Sequence, residues 1–210
     1  MPSTTLAYES SRTVLKHVNL MTDTFIANAS AQELRAVIRS LLSTMPAAHG
    51  TFSCIARSHL KQSAPCRTLP PPASLFTLRG ATFLPTQQFM EMLSHARMLF
   101  GVGLGVESLT TLTYLIRATY PLRWSSSDND PLLPHLAVLD SDVAQAVQSC
   151  KEELVSGYLK SEEEIAVAKR SLEDIYNALE ESRTRVASWD GEFCFDRAYF
   201  AVEYLRRTFK

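Results

Sequence analysis

The chain has 210 residues, of which 46% are hydrophobic and 20% charged, and its formal net charge is −1. These values are ordinary for a globular protein and exclude general disorder and a fibrous repeat. A domain of this length hides roughly 70% of the surface of its unfolded chain, so folding requires neither a metal nor a disulfide. No apolar run approaches the roughly 20 residues that span a bilayer. We therefore predict a soluble intracellular protein, cytoplasmic or nuclear, that makes no membrane contact.

Charge is distributed unevenly along the chain. Residues 1–135 carry 11 basic and 7 acidic side chains, whereas residues 136–210 carry 10 and 15. Neither half has the dense basic stripe that is typical of a nucleic-acid-binding surface. The charge pattern therefore argues against nucleic-acid contact, and a role as a nucleic-acid accessory factor is a further alternative. The basic residues that such contact would use are Arg35, Arg39, Arg57 and Lys61.

Residues 1–29 are predicted to be partly helical or flexible, and the first clear helix signal follows them. Ser30 and Glu33 have the spacing of a capping box, in which each side chain satisfies a free amide at a helix start. Pro46 ends this helix and opens a second one, giving a helical hairpin over residues 30–62. The first helix has apolar residues at helical spacing, namely Leu34, Val37, Ile38, Leu41, Leu42 and Met45.

Residues 63–85 are rich in proline and predict a connector, with a short strand or hairpin as an alternative near residues 74–84. A pair of helices follows over residues 86–120. The glycines between Gly101 and Gly105 divide the pair. A dinucleotide-binding loop needs a preceding strand, whereas a helix is predicted before these glycines. We therefore interpret the glycines as a junction at which two helices cross closely.

The C-terminal third is predicted to be helical. Residues 121–135 form a polar loop, in which Ser125–Asp130 resembles an acidic-directed phosphorylation site, although a plain linker is the simpler interpretation. Residues 136–210 form a three-helix region with helices near 139–159, 161–187 and 190–209. We therefore predict an all-α fold, an irregular bundle of about six or seven helices in a single domain over residues 30–210.

No motif indicates catalysis or metal binding. The cysteines are interpreted as reduced and buried, because they lie mostly among apolar residues. Four metal-capable side chains lie close in sequence, but five-residue steps on a helix do not bring ligands together. These are His49, Cys54, His59 and Cys66. We predict no catalytic residue, no cofactor and no metal, and whether the protein is an enzyme is left open with a preference against it.

The C-terminal segment is unusually rich in aromatic residues, which are either buried on several sides of a helix or part of a partner-binding surface. The hypothesis that follows is a non-catalytic adaptor or scaffold subunit of a multiprotein complex, with hetero- or homo-oligomeric protein partners. Its predicted hydrophobic contacts are Trp189, Phe195 and Tyr199, and its predicted acidic rim is Glu163, Glu164 and Glu181. The alternative is an enzyme or small-ligand module with a pocket around His95, Arg97, Cys150 and Tyr158.

Overall fold

The computed structural model describes residues 20–63, 69–80, 82–125 and 130–209. It confirms the predicted all-α multi-helix fold and the short strand pair. No helix in these ranges combines the length and the apolarity that crossing a membrane requires. The elements described are α1 (Leu20–Asn28), α2 (Ala31–Thr44), α3 (Ala48–Ser63), β1 (Phe76–Arg79), β2 (Thr82–Pro85), α4 (Gln87–Gly101), α5 (Gly105–Ala118), α6 (Leu133–Val155), α7 (Glu162–Ala187) and α8 (Asp196–Thr208).

Two helices begin at capping boxes, and the first of these is the one predicted at Ser30. At the start of α2, the Glu33 amide donates to Ser30 Oγ at 3.2 Å and the Ser30 amide donates to Glu33 Oε2 at 2.7 Å. Ser161 and Glu164 make the same reciprocal pair at the start of α7. Both boxes satisfy amides that the first helical turn leaves without partners, so local sequence is sufficient to place these two helix starts.

The contacts between Cα atoms divide the chain between Thr51 and Phe52, inside α3. The first unit, described from residue 20, contains α1, α2 and the first residues of α3. No residue from 21 to 51 is buried. The single domain expected over residues 30–210 stays a prediction.

The second unit has its hydrophobic core around α5, which packs against α4, α6 and α7, while α8 packs against α6 and α7. Leu109, Leu112 and Ile116 of α5 are fully buried. This helix also contains β-branched threonines, which are weak helix formers, so packing on several sides is what stabilises it. The hairpin of β1 and β2 is antiparallel and contributes Phe76, whose ring lies 5.1 Å from that of Phe89.

The glycine-rich segment between α4 and α5 contains the close helix crossing that its sequence predicts. Gly105 begins α5 against the backbone of α6, where an added Cβ would lie 2.6 Å from the Cα of Cys150. Gly103 has a φ of +81°, which favours glycine. The two glycines therefore have separate roles, one in the turn and one in helix packing.

Two predicted helix starts are wrong. Helix α6 begins at Leu133 instead of near residue 139, because Pro134 is well tolerated in a first turn. Helix α8 begins at Asp196 instead of near residue 190, because the chain first makes a turn with Asp190 at a φ of 57°. The periodicity of apolar residues does not fix where these two helices begin, because the start of each helix depends on contacts with neighbouring elements.

The expectation of buried cysteines is only partly met. Cys150 is buried, Cys194 is half-buried and Cys54 is exposed, and all three are free thiols. Cys66 lies outside the described residues. Cys54 is exposed because it lies on a face of α3 that no described element covers.

Candidate interaction surfaces

The three predicted hydrophobic contacts lie mainly inside the protein. Phe195 is 0% exposed and Tyr199 is 9% exposed, while Trp189 is half-buried. The Trp189 ring packs edge-on against Trp124, with 5.2 Å between ring centroids. Internal burial therefore accounts for most of this aromatic segment, and Phe195 presents no surface to a partner. The binding role assigned to these residues stays a prediction.

The aromatic side chains that α8 does expose are Phe200 and Tyr204. Phe200 is 63% exposed, and Tyr204 follows one turn later on the same face. Lys151 of α6 places its ammonium 5.7 Å from the centroid of the Tyr204 ring. The core side of α8 has Ala198, Val202 and Leu205 at helical spacing, so periodicity alone could have placed Phe200 and Tyr204 outside.

A hydrogen-bonded cluster joins α7 and α8 around Tyr199. The Tyr199 hydroxyl donates to Glu180 Oε1 at 2.5 Å, and the Tyr176 hydroxyl donates to the same oxygen at 3.1 Å. The hydrogen bond from Tyr199 lowers the pKa of Glu180 below its ordinary value, and the same bond raises the pKa of Tyr199. Arg206 stacks on Tyr176, with 3.6 Å from its guanidinium carbon to the ring centroid. Tyr199 is therefore an internal hydrogen-bond donor more than a surface contact.

Replacing Tyr199 by phenylalanine is expected to cost about 1 kcal/mol of stability at pH 7, because Glu180 loses its strongest hydrogen bond. The folded-state pKa of Glu180 is depressed, so this contribution is present above its ordinary pKa of 4.5 and is lost as the pH falls through the folded-state value. Urea denaturation of wild type and Tyr199→Phe at pH 7 and pH 3 measures the difference. Tyr204→Phe, at an exposed position, is the matched control. An equal cost at both pH values would show that the bond to ionised Glu180 is not responsible.

Of the three acidic residues predicted as one rim, Glu163 and Glu164 lie together at the start of α7, whereas Glu181 lies near its end. Glu164 accepts hydrogen bonds from the amides of Lys160 and Ser161, at 2.7 and 3.0 Å, and the bond from Ser161 is the main cause of its lowered pKa. Glu181 is paired with Arg185 at 2.7 Å. Glu163 is exposed beside Glu164. Glu164 and Glu181 are separated by about 26 Å of helix. The structure therefore assigns Glu164 to a helix cap and Glu181 to an ion pair.

A cleft of about 600 Å³ lies where α3, α4 and α6 approach. Glu153 of α6 is 1% exposed and accepts a hydrogen bond from Arg57 Nη2 at 3.0 Å, where Arg57 is 15% exposed. The amide of Val106 donates to the second oxygen of Glu153 at 3.1 Å, so this carboxylate also caps α5. Burial raises the pKa of Glu153, while the bond from Val106 and the charge of Arg57 oppose the rise.

The alternative pocket predicted around His95, Arg97, Cys150 and Tyr158 has one of its residues in this cleft. Of the four residues in the predicted pocket, Tyr158 lines the cleft, where its ring lies 4.4 Å from the Arg57 guanidinium carbon. Cys150 is buried, which raises the pKa of its thiol to about 12, and a protonated thiol is a poor nucleophile. Arg97 is paired with Asp142 at 2.8 Å, joining α4 to α6. The ion pair between Arg57 and Glu153 connects α3 to α6.

Over the described ranges, no three His, Cys, Asp or Glu side chains are grouped so that they could hold a metal ion. Residues 126–129 of the loop considered for phosphorylation lie outside the described residues. Asp130 at the end of that loop accepts hydrogen bonds from the amides of Ser125 and Leu132, at 2.8 and 2.9 Å. Its carboxylate therefore connects Ser125 to the segment just before α6.

Comparison with known proteins gives no match to a family model, to a curated protein or to a solved structure. Over the described residues, the fold is that of an all-α multi-helix protein with one short β-hairpin. A function has to be argued from the surfaces of the chain itself.

Proposed function

We propose that the protein is a non-catalytic helical adaptor or scaffold subunit of a multiprotein complex, and that its α2 helix binds a partner protein. The observation that carries this proposal is the α2 apolar face, which consists of Val37, Ile38, Leu41 and Met45. All four side chains are exposed. They recur at the spacing of an amphipathic helix, which ordinarily buries such a face.

The energetics favour covering this face. Fully burying an aliphatic side chain of this size contributes about 1.5–3 kcal/mol. The four side chains are each roughly half exposed, so a partner that covers them gains about 4 kcal/mol. Helix α2 has 14 residues, and isolated helices of that length are marginally stable in water. Binding would therefore also stabilise the helix.

Positive charge on the other faces of α2 indicates the chemistry of the partner. Arg35 and Arg39 lie one turn apart on the same side of the helix, and both are exposed. A partner surface with an apolar centre and acidic side chains on its rim complements this arrangement. Two of the basic residues considered for nucleic-acid binding are near acids, since Arg57 is paired with Glu153 and Lys61 lies 3.7 Å from Glu107. This favours a protein partner over a nucleic acid.

The proposal is tested with an Ile38→Gln/Leu41→Gln double variant. Both positions are exposed and glutamine is a good helix former, so we expect a far-ultraviolet circular dichroism spectrum like that of wild type. We also expect at least a tenfold loss of a stoichiometric protein partner in quantitative affinity purification from the native cell, because about 2 kcal/mol of apolar burial is removed. A Met90→Gln/Met98→Gln variant, altered at exposed apolar positions of α4, is the matched control.

Retention of the same partners at the same stoichiometry by the α2 variant would contradict the proposal. Light scattering tests whether the partner is a second copy of this chain and not a different protein. A wild-type dimer that the α2 variant converts to a monomer would identify a second copy of the chain as the partner, and the heteromeric form of the proposal would then be wrong.

A further inference from the structure

A second recess lies between α7 and α8, and we call it the α7–α8 pocket. Its volume is about 310 Å³. Helix α7 supplies four of its residues, α8 supplies Arg206, and Phe209 directly follows the end of α8. The residues that line it are Lys169, Arg170, Leu172, Glu173, Arg206 and Phe209.

The charge of the α7–α8 pocket is positive, with three cations and one carboxylate in its lining. Arg206 is held rigidly, because it stacks on Tyr176 and its Nη1 donates to Glu173 Oε1 at 2.8 Å. This pairing neutralises Glu173, so the charges of Lys169 and Arg170 remain uncompensated within the lining. The Nε of Arg206 is buried and has no hydrogen-bond partner among the described residues. The guanidinium therefore has hydrogen-bonding capacity that the fold does not use.

The remaining wall of the α7–α8 pocket is apolar. Leu172 is buried and Phe209 is half-buried, and together they form a hydrophobic floor under the cationic rim. Ligand sites commonly combine an apolar wall with a few polar groups that orient the ligand, and their volumes begin near 300 Å³. A volume of about 310 Å³ is at the small end of this range, so a small ligand fits the recess best.

We propose that the α7–α8 pocket binds a small amphipathic carboxylate, with the carboxylate beside Lys169 and Arg170 and the apolar body on Leu172 and Phe209. An anion alone lacks contact with the floor, and a neutral apolar group lacks the attraction of the rim. The pocket lies in the second unit of the chain, and its ligand is independent of the partner proposed for α2.

Three probes of nearly the same shape and different charge test this site. They are 3-phenylpropanoate, 3-phenylpropanamide and 3-phenylpropylamine, titrated into the intact protein and followed by nuclear magnetic resonance at the Leu172 and Phe209 amides. A ligand of this size is expected to have a dissociation constant on the order of 1 mM. We expect the amide to bind about tenfold more weakly than the carboxylate, and the amine more weakly still.

A Lys169→Gln/Arg170→Gln variant is expected to bind the carboxylate about tenfold more weakly than wild type and to bind the amide with unchanged affinity. Both side chains are exposed, so the fold is retained. The control variant, Arg123→Gln/Lys160→Gln, removes the same net charge from exposed positions outside the pocket and is expected to bind like wild type. Equal affinity for the carboxylate and the amide would overturn the proposal. Carboxylate binding that the double variant does not weaken, or the absence of saturable shifts, would also overturn it.

Discussion

Replacing Phe195 by alanine is expected to destabilise the protein by about 3–5 kcal/mol, the range found for removing a buried aromatic ring from a core. Phe195 is fully buried and precedes α8, where its ring packs against Phe193 with 5.9 Å between centroids. No rearrangement of surface side chains fills a cavity of that size. Urea denaturation followed by circular dichroism measures this loss of stability. We expect a lower urea concentration at the unfolding midpoint and an unchanged dependence of the unfolding free energy on urea concentration.

Phe200→Ala is the matched control, because it removes the same side chain from an exposed position of the same helix. It is expected to change stability by about 0.5 kcal/mol or less. The comparison also separates the two interpretations of the aromatic segment that the sequence leaves open. A Phe195→Ala protein that is as stable as wild type would show that the ring lies at the surface and is available to a partner.

The helices themselves could be predicted from sequence because their signals are local. The capping boxes at Ser30 and Ser161 depend on residues three positions apart, and both are present in the structure. Apolar periodicity likewise identifies the inward side of α7, where Ala168, Leu172 and Ile175 are buried. What periodicity does not reveal is whether another element covers an apolar face. For that reason the face of α2 was expected to be packed within a helical hairpin, and no residue of that helix is buried.

The polar contacts between elements could not be predicted for a related reason. Glu153 and Arg57 are separated by 96 residues, and nothing in either local sequence indicates that they meet. Glu153 is instead expected on the polar side of a helix, where acidic residues ordinarily lie. The role of Tyr199 was missed in the same way, because its partner Glu180 lies on a different helix.

Replacing Gly105 by alanine is expected to destabilise the protein by at least about 3 kcal/mol, the upper end of the cost of overpacking a core. A Cβ at this position would lie 2.6 Å from the Cα of Cys150 and from the carbonyl carbon of Ser149. These are backbone atoms of α6, so no side-chain rotation relieves the overlap. Relief requires α5 and α6 to separate, which would loosen the core that both helices share.

Gly101→Ala provides a control within the same glycine-rich segment. No atom lies within 4 Å of a Cβ built at Gly101, which is the last residue of α4. Alanine is favoured over glycine in a helix by up to about 1 kcal/mol, so this variant is expected to be as stable as wild type or slightly more stable. Thermal denaturation of the two variants gives the comparison. Equal melting temperatures would mean that α5 and α6 do not approach each other at Gly105, because that close approach is the physical difference between the two positions.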